Sequence, residues 1–91
     1  MIVVDKDIVA STIDKYGMVL QSVVCMEECA ELIQAVSKEV RGKHDVGHIS
    51  EEIADVYICL NMLIQLYNVP EGMVQAWVDA KQQRILERMK V

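Results

Sequence analysis

The segment that decides the fold is EEIADVYICLNMLIQLY at residues 51–67, which is apolar on almost every side. An apolar run of this kind fits a buried strand or a buried helix, and its length favours the helix. The run is too short to span a bilayer and contains Asn61 and Gln65, so we expect no membrane segment. It therefore predicts a helix that is surrounded by other protein on most sides.

Working outward from this segment, the chain divides into four predicted helices. Residues 18–40 place apolar side chains at the i, i+3, i+4 and i+7 spacing of a helical face, and Gly17 separates them from a short helix over residues 5–16. Asn68 ends the apolar helix, and Pro70 opens a last amphipathic helix because proline is accepted at a first helical position. We therefore expect an all-α fold, an antiparallel bundle of about four helices.

The connection between the two long helices is predicted from composition. Residues 41–48, RGKHDVGH, contain two glycines and several polar side chains, which is typical of a loop. Asp45 and Ser50 both have side chains that can cap the helix that follows, and the pattern does not choose between them. His44 and His48 fall in this loop without partners at a metal-binding spacing.

Composition limits the classes of protein to which the chain can belong. Its 91 residues allow a single domain, residues 1–91, and its formal net charge of −5 argues against binding a nucleic acid polymer through a basic surface. Three cysteines do not make an even disulfide framework, and the start MIVVD lacks the basic region and cleavage site of a secretory signal. We expect a cytoplasmic protein.

The apolar content exceeds what a chain of this size can bury. Hydrophobic residues make up 53% of the sequence and are mostly aliphatic or methionine, with one Trp, three Tyr and no Phe. A small domain buries only a modest share of its surface, so some apolar faces must pack against another subunit. The sequence therefore predicts that a homo-oligomer, with the dimer as its minimal unit, completes the bundle.

Two pairs of acidic residues lie at helical spacing. Glu28 and Glu31 are three residues apart, so their side chains stand on one face of a helix, about 5–6 Å from each other. Glu52 and Asp55 repeat this arrangement on the next long helix. Helices joined by a short loop run antiparallel, which lets the two pairs face each other. Removing these four charges changes the formal net charge from −5 to −1, so the acidity is concentrated at one place.

Acidic residues at this spacing usually belong to a solvated face, but the neighbours of Glu52 and Asp55 are apolar in both directions. Two carboxylates about 5 Å apart repel by roughly 3 kcal/mol at an effective dielectric near 20. Cations relieve this repulsion, and oxygen-only ligands suit hard ions, of which Mg²⁺ also bridges to phosphates. The sequence thus predicts a site for Mg²⁺, with Mn²⁺ as the alternative, at Glu28, Glu31, Glu52 and Asp55.

The same acids carry a resemblance to a known family. Glu27, Glu28 and Glu31, followed by Glu52 and Asp55, match position for position the E-E-x-x-E and E-x-x-D signature of the MazG-like all-alpha nucleoside triphosphate pyrophosphohydrolases. Further stretches also resemble the small phage and bacterial members, namely RGK at 41–43, EEIADV at 51–56 and KQQRILER at 81–88. The resemblance covers most of the chain.

This resemblance implies an enzyme. It implies hydrolysis of a nucleoside triphosphate to the monophosphate and pyrophosphate, by attack of water on the α-phosphate, with Mg²⁺ held by the four carboxylates. Glu27 lies about 100° around the helix from Glu28, where it either positions the water or faces solvent, and we favour the first. The short members of the family also imply a dimer of dimers.

Two groups of basic residues are candidates for binding the substrate. Lys81, Arg84 and Arg88 fall at i, i+3 and i+7 and form one stripe on the last helix. This stripe is either a solvated face or a set of contacts to the oxygens of a metal-bound triphosphate. Arg41 and Lys43 in the predicted loop are candidates for the same contacts, in their own subunit or in a neighbouring one.

Other functions remain alternatives at this point. One is a non-catalytic helical oligomer or interaction protein that keeps a metal site for assembly. Another is a metal-dependent phosphatase that removes the terminal phosphate. A di-iron bundle is disfavoured because neither Glu28 nor Glu52 is followed by a histidine three residues later.

The remaining notable side chains are assigned to packing. Trp77 lies one turn before Lys81, and we expect it in the core rather than stacked on a base. We also expect Cys25, Cys29 and Cys59 to be small buried hydrophobic residues and not zinc ligands, because no fourth ligand is evident.

Overall fold

The computed structural model describes residues 1–90, which form four α-helices and no β-strand. In chain order these are α1 (Lys6–Tyr16), α2 (Met18–Val40), α3 (Val46–Leu66) and α4 (Glu71–Met89). The predicted all-α fold is confirmed. No helix within residues 1–90 combines the length and the apolar character that crossing a membrane requires.

Aspartate side chains start two of the helices. Asp5 accepts hydrogen bonds from two backbone N–H groups of the first turn of α1, at 2.9 and 3.2 Å. Asp45 accepts a hydrogen bond from the N–H of His48 at 2.9 Å and begins α3. Of the two caps that the sequence allowed, Asp45 is therefore the cap. The hydroxyl of Ser50 instead donates to the carbonyl oxygen of Val46 inside the helix, at 2.6 Å.

The predicted loop over residues 41–48 is wrong in its second half. α3 begins at Val46, so the connection is residues 41–45 and His48 lies in the first turn of the helix. Composition misled the prediction because Gly47 and His48 are common in loops, whereas the cap at Asp45 stabilises a helical turn that includes both.

The two long helices end in the same way. Gly42 follows α2 with φ of +85°, and Asn68 follows α3 with φ of +51°. After each of them, the next N–H donates to the carbonyl oxygen five residues back, at 2.9 and 3.0 Å. These bonds close a helix at a left-handed residue, a conformation that glycine and asparagine adopt at the lowest cost.

α2 and α3 form the antiparallel hairpin that carries the acidic residues. The hydroxyl groups of Ser22 and Tyr67 lie 2.6 Å apart, and the thiol of Cys25 donates to the carbonyl oxygen of Cys59 at 3.7 Å. Residue numbers thus fall along α3 as they rise along α2, which is the antiparallel pairing that the short connection predicted. α1 packs on both helices of the hairpin.

The core is small. Its buried side chains come from α1, α2 and α3 and are Val9, Cys25, Cys59, Met62 and Leu66. Large apolar side chains stay outside it, among them Met26 and Ile33, which are each 70% exposed on α2. The excess of apolar surface that composition predicted is therefore present on this chain, and the homo-oligomer stays a prediction.

α4 stands apart from the other helices. Each of its residues is exposed, and an ion pair between Lys6 and Glu71, with Nζ and Oε1 2.9 Å apart, ties its first turn to α1. Trp77, which we expected in the core, is 54% exposed. That prediction is wrong within this chain because α4 does not pack along α1, α2 or α3.

Candidate metal centre

Four carboxylate groups meet between α2 and α3. Glu28 and Glu31 stand one turn apart on α2, and Glu52 and Asp55 stand one turn apart on α3. One oxygen from each of the four side chains lies within 4.8 Å of the other three. The structure therefore brings together the four residues that helical spacing and the antiparallel hairpin predicted.

The four acids differ in their access to solvent. Glu52 is buried with only 6% of its surface exposed, Glu28 and Asp55 are half-buried, and Glu31 is exposed. The Oε2 atoms of Glu28 and Glu52 are buried and have no hydrogen-bond partner. Buried polar atoms in proteins are almost always paired, so these two oxygens need a cation, a proton or a water.

The proximity of the acids raises two pKa values. Burial raises the pKa of Glu28 to about 7, helped by a hydrogen bond with the carboxyl group of Asp55 and by the nearby charges of Asp55, Glu31 and Glu52. Burial also raises the pKa of Glu52, together with the charges of Glu31 and Asp55, against an opposing effect of His48. Full ionisation of the four acids is therefore unfavourable unless a positive charge lies nearby.

Basic side chains within residues 1–90 do not supply that counter-charge. The ion pairs of this part of the chain are Lys6 with Glu71 and His44 with Glu39, and neither involves the four acids. A set of carboxylate oxygens without His or Cys matches the ligands of Mg²⁺, Mn²⁺ and Ca²⁺. The residues present therefore fit a hard divalent cation.

A polar pocket of about 320 Å³ lies one helical turn beyond the acids, at the loop end of the hairpin. It is lined by Ala35, Lys38, Glu39, Lys43, Asp45 and His48. The two acids of this lining already form hydrogen bonds with neighbouring residues of the connection and of α3. Glu39 accepts hydrogen bonds from the N–H of Asp45 at 2.8 Å and from the ring of His44 at 2.7 Å, and Asp45 caps α3.

The pocket thus offers cationic side chains next to the acidic centre. Lys43 was a predicted substrate contact, whereas Lys38 and His48 were missed as site residues. Lys38 is seven residues after Glu31 on α2, and His48 is four residues before Glu52 on α3. Both are helical spacings. The spacing of Lys38 from Glu31 can be read on α2 alone, whereas the spacing of His48 from Glu52 becomes visible only once Asp45 is known to begin α3.

Other predicted site residues are not brought to the centre. Arg41 caps α2, and its Nε donates to the carbonyl oxygen of Ser37 at 3.3 Å. Glu27 is exposed and lies outside the group of four, so its role in positioning water stays a prediction. The basic stripe lies on α4, which does not pack along the hairpin. Its residues are Lys81, Arg84 and Arg88.

The cysteines have the character expected of packing residues. Cys25 and Cys59 are buried, and Cys29 is half-buried. Burial raises the pKa of the Cys59 thiol to about 12, helped by its interaction with Cys25, so it stays protonated at neutral pH. Within residues 1–90, the group of side chains close enough to hold a metal contains no cysteine.

Comparison of the chain with models of protein families, with curated proteins and with solved structures gives no match.

Proposed function

We propose that this protein is a Mg²⁺-dependent nucleoside triphosphate pyrophosphohydrolase of the MazG-like kind. The observation that carries the proposal is the pair of buried, unpartnered carboxylate oxygens on Glu28 and Glu52, within a group of four acids whose arrangement matches the family signature. A purely structural cluster would place these charges in solvent or pair them with Lys or Arg.

In the proposed reaction, Glu28, Glu31, Glu52 and Asp55 would hold Mg²⁺. The ion would supply neutralisation of charge on the phosphate oxygens and activation of the attacking water. The exposed side of Glu31 leaves the centre open to substrate. Water attacks the α-phosphorus, the bond between this phosphorus and the bridging oxygen breaks, and pyrophosphate leaves. Glu27, beside the centre on α2, positions the attacking water.

The neighbouring pocket supports binding of the substrate. Lys38 and Lys43 line it without an ion-pair partner within residues 1–90. Ammonium groups one helical turn from a metal centre suit the oxygens of a polyphosphate, because these oxygens carry more negative charge than the metal neutralises. His48 on the same wall is a further donor for these oxygens or for the sugar.

The experiment that tests the proposal incubates a panel of nucleoside triphosphates with the protein and Mg²⁺ in ¹⁸O-labelled water. We expect a monophosphate that carries the label and unlabelled pyrophosphate. A nucleoside diphosphate and labelled orthophosphate as first products would instead identify the terminal phosphatase. Glu51→Gln is a control variant that should keep the activity, because it removes an exposed carboxylate next to Glu52 that lies outside the group of four.

The alternative function is a non-catalytic metal-binding helical oligomer. The observation that favours it is the wide apolar surface that this chain leaves uncovered, including Met26 and Ile33. Stabilisation by Mg²⁺ without turnover of any nucleotide in the panel would support this alternative and contradict the enzyme.

A further inference from the structure

The end of the hairpin next to the connection contains little apolar packing. Between the acids and the end of α2, the one buried residue is Ala35, and no residue of α3 before Glu52 is buried. The polar pocket of about 320 Å³ lies at this end. A methyl group beside a pocket makes few of the contacts that hold two helices at a fixed distance. Another interaction must therefore hold α2 and α3 together here.

The metal centre makes this requirement stronger. It gathers four carboxylates, and no Lys or Arg within residues 1–90 forms an ion pair with them. Carboxylates this close repel each other, so without an ion they push the two helices apart. On the side away from the connection, the buried contact between Cys25 and Cys59 resists this repulsion. The side next to the connection needs an equivalent contact.

Glu39 supplies hydrogen bonds at this end of the hairpin. Its Oε1 accepts a hydrogen bond from the N–H of Asp45 at 2.8 Å, and its Oε2 lies 2.7 Å from Nδ1 of His44. Its side chain is only 22% exposed. The helix dipole disfavours a carboxylate in the last turn of a helix, so Glu39 does not stabilise α2 in that way. The bonds to the connection are what this carboxylate contributes.

These bonds continue into α3 through Asp45. The Oδ1 atom of Asp45 accepts a hydrogen bond from the N–H of His48 at 2.9 Å, and its carbonyl oxygen accepts one from the N–H of Ile49 at 3.1 Å. Glu39 thus holds the residue that begins α3, and Glu52 follows within two turns on the same helix. Hydrogen bonds therefore connect the last turn of α2 with the first turn of α3.

We infer that Glu39 is a positioning residue of the metal centre, because it holds α3 at the height along α2 at which the acids of the two helices meet. Glu39 lies eight residues after Glu31, about 12 Å along the helix axis, so it does not touch the ion. It acts by keeping the ligands in place before the ion binds. This inference rests on the proposed function, because it assigns Glu39 to the same metal site.

Two substitutions of Glu39 separate the reach of its side chain from its charge. Glu39→Asp keeps the charge but is one methylene too short to make both bonds. Glu39→Gln loses the charge but keeps an oxygen that accepts from the N–H of Asp45. Calorimetry with Mg²⁺ alone, at a temperature where circular dichroism shows every variant folded, measures the affinity. We expect Glu39→Asp to weaken binding by roughly tenfold, as loss of support for metal ligands does, and Glu39→Gln to keep it.

Asp5→Ala is the control for general loss of stability. Asp5 caps α1 with two hydrogen bonds, so this variant should unfold at a lower temperature and still bind Mg²⁺ as the wild type does. Unchanged affinity in Glu39→Asp would overturn the inference. A loss of affinity in Glu39→Gln alone would overturn it as well, since Glu39 would then act through its charge. So would equal losses in Glu39→Asp and Asp5→Ala.

A measurement on the metal-free protein separates this inference from the proposed function. Residual dipolar couplings, measured by nuclear magnetic resonance, report the orientation of α3 relative to α2. We expect Glu39→Asp to change this orientation and Glu39→Gln to keep it. The same orientation in both variants and in the wild type would overturn the positioning role. A wild-type chain that binds no divalent ion, with a changed orientation in Glu39→Asp, would disprove the proposed function alone.

Discussion

The carboxyl groups of Glu28 on α2 and Asp55 on α3 meet across the hairpin, and one oxygen of each lies within 4.8 Å of the other. Two carboxylates this close repel each other, and either a proton or a cation relieves the repulsion. The stability of the protein and its affinity for metal are therefore linked to pH through these residues.

The first prediction is that the metal-free protein loses stability as the pH rises from 5 to 7.5. The pKa of Glu28 is about 7 in the folded chain and 4.5 ordinarily, so over this range the folded state holds a proton that the unfolded state has released. The raised pKa of Glu52 acts in the same direction. Hydrogen bonds from the backbone of Asp45 and the ring of His44 lower the pKa of Glu39, but that contribution is lost only at more acidic pH.

Thermal unfolding followed by circular dichroism in buffer with a chelator measures this slope. Glu28→Gln should flatten it, because the amide does not titrate. Glu51→Gln removes an exposed acid of the same helical region and should change the slope far less, because Glu51 contributes least to the raised pKa of Glu52. A Tm that rises between pH 5 and 7.5 would contradict the sign of the effect.

The second prediction is that Mg²⁺ or Mn²⁺ stabilises the protein and releases protons when it binds near pH 6.5. A ligand at 100 times its Kd adds about 2.7 kcal/mol to the free energy of unfolding, which raises the Tm of a domain of this size by roughly 10 °C or more. Protons are released because the pKa of Glu28 lies near this pH in the metal-free centre. Calorimetry in two buffers of different ionisation enthalpy counts them. Binding without proton release would show that the ion binds outside the acidic centre.

The acidic centre could be predicted from the sequence because it depends only on regular backbone geometry. Glu28 and Glu31 share a helical face by spacing alone, and a short connection makes the next helix antiparallel. Burial of Glu52 followed from its apolar neighbours in the segment that decides the fold. The prediction of the acidic centre therefore depended on helical periodicity and on the length of the connection between the helices. Both can be read directly from one sequence.

The polar pocket and the position of α4 could not be predicted in the same way. His48 was assigned to a loop because its neighbourhood contains glycine and polar residues. Local hydrogen bonds, and not composition, decide whether this segment forms a turn or a helix capped by Asp45. Trp77 was assigned to the core because it belongs to an apolar face of α4, yet nothing within residues 1–90 covers that face. Hydrophobic periodicity indicates that a face is covered but does not identify what covers it.

The third prediction concerns Asp55→Asn, which removes one ligand charge. The variant should lose most turnover and most of the stabilisation by Mg²⁺, while its metal-free form should be at least as stable as the wild type because one source of repulsion is gone. Circular dichroism, thermal unfolding with and without Mg²⁺, and steady-state kinetics measure the three effects. Near-normal turnover at saturating Mg²⁺ would refute the four-carboxylate centre.

The fourth prediction concerns the polar pocket. Lys43→Ala should weaken binding of a triphosphate and lower kcat/KM by roughly tenfold, the value of one charge-assisted hydrogen bond, with little change in Mg²⁺ affinity. Lys15→Ala is the matched control, since Lys15 is exposed on α1 and lies over the ring of Tyr16. Equal kinetics for the two variants would show that Lys43 faces solvent and does not contact the substrate.

The last prediction separates a solvated basic stripe on α4 from one that binds substrate. If Arg84 and Arg88 only face solvent, replacing either with alanine should change the free energy of unfolding by at most about 0.5 kcal/mol and leave kinetics unchanged. If they contact the triphosphate, each replacement should lower kcat/KM by at least roughly tenfold, since a charge-assisted contact is worth about 1.5–3 kcal/mol.

Metal affinity distinguishes this effect from damage to the acidic centre. The arginines contact phosphate oxygens and not the ion, so Arg84→Ala and Arg88→Ala should bind Mg²⁺ as the wild type does when no nucleotide is present. Lys90→Ala is the control, because Lys90 caps the same helix at its end and lies outside the stripe. Steady-state kinetics and calorimetric Mg²⁺ titration of all three variants decide the matter. Unchanged kinetics in both arginine variants would show that the stripe faces solvent.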